Sequence, residues 1–201
     1  MKSDNPRLQW KPGTMLYPVP AVLVSCGDID GAMNLVTIAW TGTICSDPPM
    51  CSISLRPERY SYPMIRESGE FVVNLTTAAM ARAVDWCGVK SGRDFNKFRE
   101  TNLTPLRASK VRPPLVAESP VNLECRVREI RKLGSHHMFL AEVEAVQADP
   151  AYHRAGTGYF DLSLAAPLCY SHGHYYRMGR HIGKFGFSVQ KKRRKPRPGK
   201  S

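Results

Sequence analysis

The sequence predicts a mainly β protein: an antiparallel barrel with two or three helices inserted between its strands. Three observations carry this. Short runs of apolar and β-branched residues recur between Gly, Pro, Asn and Asp turns, namely Ala21-Val-Leu-Val-Ser25, Asn34–Thr41, Met50–Leu55 and Glu70–Leu75. Two longer runs, Val121–Arg131 and Met138–Val146, flank the turn Lys132-Leu-Gly-Ser135. In the first of them Leu123, Cys125 and Val127 alternate with Asn122, Glu124, Arg126 and Arg128, the period of two of a half-buried antiparallel strand. Strands do not alternate with long helices, so a parallel βαβ sheet is disfavoured.

Element by element, residues 1–16 read as an N-terminal lead-in, 17–190 as one domain and 191–201 as a basic tail. Ala21–Ser25 is apolar throughout and suits a buried strand, and Asp28-Ile-Asp-Gly31 supplies a turn. Pro48-Pro49 separates the next two strands, at a place where missing amide donors are tolerated. Ser61–Ser68 is a short helix closed by Gly69, and Thr77 is placed to cap a helix over Ala78–Trp86. Cys87–Lys97 reads as a polar loop, and 101–120 as irregular because of Pro105, Pro113, Pro114 and Pro120. Residues 150–190, rich in Gly, Tyr and His, read as loops with a short strand near Leu168–Tyr170.

A chain of 201 residues can bury one substantial core. No apolar run approaches the ~20 residues that cross a bilayer. The polar start Met1-Lys-Ser-Asp-Asn-Pro6 predicts a cytoplasmic protein. None of the six cysteines forms a Cys-x-x-Cys pair, which points to reduced thiols. Of the net charge of +12, seven positive residues lie in Lys191–Lys200 and leave +5 elsewhere. That concentration argues for a solvated terminus and against a nucleic-acid-binding domain.

Four constellations could carry chemistry. The strand end Ala39-Trp-Thr-Gly-Thr43 is rich in small residues that let a flat ring approach the backbone. The turn Arg56-Pro-Glu-Arg-Tyr-Ser61 offers a guanidinium fork, a hydroxyl and the start of a helix, which suits a phosphate. A second loop gathers Ser91, Gly92, Arg93 and Lys97. It matches neither Gly-x-x-x-x-Gly-Lys-Ser/Thr nor Gly-x-Gly-x-x-Gly, which disfavours a nucleoside triphosphatase or a Rossmann site. His136 and His137 lie at a hairpin end, where neighbouring side chains face opposite ways, so one of them can serve a given site. His172 and His174 lack companions at metal-ligand spacing and read as part of an aromatic segment, so no metal is expected. Without Gly-x-Ser-x-Gly, acyl transfer is disfavoured too. The residues alone fit any phosphorylated planar ring.

The combination of Asn34-Leu-Val-Thr-Ile-Ala-Trp40, Ser46-Asp-Pro-Pro49, Ser54-Leu-Arg-Pro-Glu-Arg-Tyr-Ser61, Gly69-Glu-Phe-Val-Val-Asn74, Cys87-Gly-x-x-Ser-Gly-Arg-Asp-x-x-Lys-Phe98, Leu123-Glu-Cys125 and Gly134-Ser-His136 resembles the flavin reductase-like, FMN-binding split-barrel family, its flavoredoxin branch most closely. The resemblance covers roughly residues 17–187; Ser135 stands where members often carry aspartate, and the basic tail lies outside the pattern. It implies a six-stranded antiparallel Greek-key split barrel that dimerises, with FMN near the interface. It implies a flavin ring along Ala39, Trp40, Thr41, Gly42 and Thr43, beside Ser54 and Leu55. Arg56 and Ser61, with the adjoining Tyr62, would hold the phosphate end, and Ser91, Gly92, Arg93 and Lys97 are further contacts. His136 would handle the nicotinamide of NADH or NADPH. The implied activity is NAD(P)H-dependent flavin reduction serving an acceptor protein or a monooxygenase. An electron carrier with permanently bound FMN is the alternative.

Overall fold

A computed structural model describes residues 7–190 apart from Ala155 and Thr157. The basic tail therefore lies outside the described residues. A seven-stranded antiparallel sheet dominates, in the order β2-β1-β5-β6-β7-β4-β3. The strands are β1 (Val22–Gly27), β2 (Met33–Ile38), β3 (Thr41–Ser46), β4 (Pro49–Leu55), β5 (Glu70–Asn74), β6 (Val121–Leu133) and β7 (His136–Ala148). The helices are α1 (Ser61–Ser68), α2 (Ala81–Val89) and α3 (Lys97–Thr101). The two edge strands, β2 and β3, are consecutive in the chain and joined by Ala39–Trp40 alone. The sheet must therefore curl until its edges meet at that corner, which makes it a split barrel. The Ser54 amide donates to the Trp40 carbonyl at 2.8 Å across the seam.

Seven strands replace the expected six because the run after Asn34 is not one strand. It breaks at Ala39–Trp40, and Thr41–Ser46 forms a hairpin with β4 around the Pro48 turn. That segment is half-exposed or exposed throughout, so it carries no apolar signature of a strand. α1 has the expected bounds, and Gly69 ends it at φ 69° with its amide on the Ile65 carbonyl. Thr77 makes no side-chain cap: a 3-10 turn over Ala78–Met80 precedes α2. α2 itself takes Cys87, Gly88 and Val89 out of the expected loop. α3 was not expected either; Asn96 caps it by accepting from the Arg99 amide at 3.1 Å. Leu168–Ser171 pairs with His174–Arg177 and with Val19–Pro20 in a separate small sheet.

Two cores hold this arrangement. Inside the barrel Val24, Ile53, Ile65, Phe71 and Phe139 are fully buried. A second cluster fills the space between the outer face of β1 and β2 and the helices, with Leu23, Leu35, Val84, Phe98 and Val116. β1 is thus covered on both faces, as its uniformly apolar sequence predicts. Each such side chain contributes about 1.5–3 kcal/mol. The polar face of β6 departs from expectation at its start, where Glu124 is fully buried. The 105–120 segment covers it and supplies donors from the Ser109 amide, the Ser109 hydroxyl and the Lys110 amide, and β7 adds Gln147. A buried carboxylate satisfied in this way fixes the irregular segment to the barrel.

Candidate functional site

The corner between β2 and β3 opens into a trough made of three adjoining cavities. At one end is a cationic pocket of about 330 Å³, which includes Asn34, Arg56, Arg59, Ser61, Ser91–Arg93 and Lys97. A cleft of about 150 Å³ follows, between Val36–Trp40 on one side and Ser54–Arg56 on the other. A wider cavity of about 720 Å³ lies beyond, bounded by Ala39–Thr41, Ser54, His136 and the lead-in residues Gly13–Leu16. Val36, Arg56 and Arg59 belong to both the first and second cavities; Ala39, Trp40, Ser54 and His136 belong to both the second and third.

Lys97 defines the cationic end. As the first residue of α3 it is only 4% exposed, and its Nζ donates to the Cys87 carbonyl at 2.6 Å. That carbonyl belongs to the last turn of α2, where helix carbonyls lack intrahelical partners. No carboxylate pairs with Lys97 among the described residues. Burial lowers its pKa, the neighbouring Cys87 partly opposes this, and Arg59 lowers it further. A desolvated ammonium that still has donors to offer, beside guanidinium groups, is a site short of an anion. Arg56 pairs at 3.4 Å with the exposed Glu58, a weak contact that an anion can replace. Arg59 and Arg93 are held by the carbonyls of Gly88 and Glu58, at 3.4 and 3.3 Å.

Ser61 is buried, and its Oγ accepts from Asn34 Nδ2 at 2.8 Å. The Tyr62 amide turns back to the Arg59 carbonyl at 2.9 Å, so the start of α1 offers one amide fewer than the sequence suggested. Gly92 lies against β2: a Cβ there would come within 2.3 Å of Asn34 Oδ1 and 2.7 Å of Tyr60. Only glycine allows that approach, which brings the second loop to the pocket. The residues present therefore fit a phosphate monoester.

The other end is polar only at a few points. His136 faces the trough, with Ser135 Oγ 3.0 Å from its Nδ1. Burial, then the Arg56 charge, lower the His136 pKa, with Glu58 opposing, so the imidazole is neutral at pH 7. His137 points the opposite way, with its Nδ1 2.6 Å from the Tyr62 hydroxyl.

Ala39, Trp40, Thr41, Ser54, Leu55 and Arg56 are therefore brought together with His136, and Ser61, Ser91, Gly92, Arg93 and Lys97 with the cationic pocket. Three expected residues stand apart. Tyr62 is buried in the barrel, edge-on to Phe139 at 5.5 Å. Gly42 and Thr43 lie on the exposed β3 and line none of these cavities. Sequence reasoning passed over Asn34, Arg59 and Lys90 in the pocket, and Gly13–Leu16 at the far end. Arg59 stood in the arginine-rich turn and was open to the same argument as Arg56; the lead-in gives no local signal.

His172 and His174 lie with aromatic rings: His172 is 4.3 Å from Tyr17, and His174 is 6.4 Å from Tyr176. The described residues contain no group of three metal-ligating side chains. All six cysteines are free thiols, four of them buried. No helix among the described residues is long and apolar enough to cross a membrane.

Comparison with known proteins agrees with this geometry. The flavoredoxin of Desulfovibrio vulgaris (Miyazaki F) superposes with a TM-score of 0.84 at 30% identity, covering 92% of this chain and 100% of that one. The flavoredoxin of Methanosarcina acetivorans gives 0.81 at 25% identity, with the same coverage. In sequence, the reductase component of a 4-nitrophenol 4-monooxygenase/4-nitrocatechol 2-monooxygenase from Rhodococcus opacus is 26% identical over 135 residues, 65% of this chain and 69% of that protein. The sequence model of the "Flavin reductase like domain" matches residues 14–179, which takes in all of the trough's lining residues except Gly13. With that span and those folds in common, the chain belongs to the flavin reductase-like family, on its flavoredoxin branch.

Proposed function

We propose that this protein is an FMN-binding oxidoreductase that takes hydride from NADH or NADPH and passes electrons to a separate acceptor. The observation that carries the reading is the continuity of the trough: a buried, carboxylate-free lysine at one end and a small-residue strand with a neutral histidine at the other. Arg56, Ser61, Ser91, Gly92, Arg93 and Lys97 would hold the phosphate, and Ala39–Thr41 with Ser54 and Leu55 would lie along the ring. Bound there, the flavin supplies a two-electron centre that accepts hydride at N5.

The chain's own part is positioning and charge. Backbone amides at the corner would stabilise negative charge on the ring. His136, uncharged and at the mouth of the cleft, would donate or accept a hydrogen bond to orient the nicotinamide. The Arg56 and Arg59 side chains, shared by pocket and cleft, would couple phosphate binding to the field at the ring.

A homodimer completes the proposal. Leu8, Trp10 and Leu16 on the lead-in, and Ile182 and Phe185 after the last strand, are all more than two-thirds exposed. Apolar side chains left out in water on two chain-end segments suit a second copy of the chain. The acceptor would be a monooxygenase or another electron-accepting protein, in the cytoplasm, where free thiols persist. The rival is a carrier whose FMN is reduced by a protein partner, favoured by the likeness to flavoredoxins.

Anaerobic mixing decides between them. The FMN-loaded protein should lose its absorbance near 450 nm when NADH or NADPH is added. An FMN-loaded protein that stays yellow with both donors supports the carrier, and a protein that cannot be loaded removes the flavin reading.

A further inference from the structure

Behind the trough lies a cavity of about 330 Å³ that the proposed flavin chemistry does not use. It shares Thr37, Ala39 and Trp40 with the trough, and is otherwise lined by Ala21, by α2 through Asp85, Gly88 and Val89, and by the small sheet through Tyr170 and Tyr175. Its chemistry is the reverse of the cationic pocket. It contains no lysine or arginine among its lining residues, in a chain of net charge +12. Most carboxylates of the surface are matched to an arginine, as in the bidentate Asp30–Arg107 pair at 2.6 and 3.0 Å. Asp85 has no ion-pair partner among the described residues.

The aromatic residues form a box. Tyr170 and Tyr175 stand edge to face, centroids 5.6 Å apart and planes at 62°. Tyr17 supports the box from behind, 6.0 Å from both Tyr170 and Trp40. Rings set at a steep angle make adjoining walls, not a closed stack, and electron-rich ring faces attract a cation. Burial first, and then Asp85, push the Tyr175 hydroxyl up to about 12, so it stays protonated and adds no second negative charge.

We propose that this cavity binds a small organic cation whose charge lies on a quaternary or N-alkylated ring nitrogen. Two features favour such a cation over a primary amine. Primary ammonium groups need several acceptors, whereas the Thr37 hydroxyl is already given to the Val84 carbonyl and Asp85 is the sole carboxylate in the lining. Aromatic walls compensate a charge that has no N–H to satisfy. The volume is at the low end for ligand sites, which suits a single ring or a compact quaternary group. Because Ala39 and Trp40 are common walls, an occupant would lie next to the ring end of the trough.

The test uses the full-length, flavin-free protein and two probes that differ by one N-methyl group and its charge, the cation 1-methylnicotinamide and neutral nicotinamide. Binding is read by NMR shifts of the Trp40 indole. The cation should bind saturably, at least tenfold more tightly than the neutral ring. Asp85→Asn, a change at an exposed helix position, should weaken the cation at least tenfold and leave nicotinamide and FMN affinity unchanged. Tyr175→Leu should weaken it as well. Equal affinity for the two probes, or an Asp85→Asn variant that binds the cation as before, would overturn the proposal. So would competition by FMN combined with insensitivity to Asp85→Asn, since the probe would then lie in the trough. FMN binding, followed separately by flavin absorbance, reports on the proposed oxidoreductase function and can fail while the cation still binds.

Discussion

The two ends of the trough are built by different means. The cationic end is assembled from β2, the turn before α1, the loop after α2 and the start of α3, and each side chain is held by a specific partner: Ser61 by Asn34, Lys97 by the Cys87 carbonyl, Arg93 by the Glu58 carbonyl. The ring end is made of backbone and small side chains at a corner of the sheet, and one wall is chain without regular structure. Rigid charge suits a ligand group that is always the same, a phosphate. A wall of loosely tied chain suits a group that comes and goes, such as a nicotinamide or an acceptor. On the proposed reading, affinity belongs to the first end and turnover to the second.

The largest break should come at Lys97. Lys97→Met removes a buried cation and the donor to the Cys87 carbonyl. Relief of a desolvated charge and loss of one hydrogen bond oppose each other, so stability without ligand should change by about 1 kcal/mol or less. FMN should bind about 100-fold more weakly, a loss of about 2.7 kcal/mol. Riboflavin, which lacks the phosphate, should change less than threefold. Equal losses for both ligands in a fluorescence titration would show that Lys97 acts on packing and not on the anion.

Arg56→Ala should be next, with FMN affinity falling about tenfold. The guanidinium is half-exposed, so solvent screening makes its effect smaller than that of Lys97. The loss should shrink as salt is raised, because an exposed charge is screened within about 10 Å at 0.1 M. An effect of Arg56→Ala as large as that of Lys97→Met, and insensitive to salt, would contradict the picture of a buried anchor with an exposed helper.

The charged end was more legible in the sequence than the ring end, and the reasons are physical. Arg56, Ser61, Ser91, Arg93 and Lys97 stand out because arginine, lysine, serine and glycine in turns have few other uses. α3 was invisible because five residues in a Gly- and charge-rich segment give no helical period. Tyr62 follows Ser61 directly, but on a helix the next side chain points about 100° away, and that turn sends it into the barrel to His137. Gly42 and Thr43 were grouped with Ala39–Thr41 on the assumption of one continuous strand. The bend at Ala39–Trp40 separates them, and it follows from closure of the sheet, a non-local event. The same holds for Gly13–Leu16, whose place beside His136 depends on how the lead-in crosses the finished barrel.

The smallest effect tests whether the two ends communicate. His136 has its pKa held below the usual 6.5 by burial and then by Arg56. For a histidine depressed in this way, the unfolded chain takes up the proton first as pH falls. The neutral imidazole's contribution to folding is therefore complete above about pH 6.5, and it declines as pH drops towards the folded value. An anion in the cationic pocket neutralises Arg56 and should let the His136 pKa rise. In an NMR titration of the His136 ring, inorganic phosphate and Arg56→Ala should each move the midpoint upward, and phosphate should add little once Arg56 is gone. A midpoint unmoved by either would mean that the pocket and the histidine do not sense one another. The kinetic counterpart is His136→Ala, which should slow reduction by NADH or NADPH about tenfold while FMN affinity stays within twofold. Reduction that keeps its rate without this side chain would leave orientation of the nicotinamide to the backbone of the corner and to the chain at Gly13–Leu16.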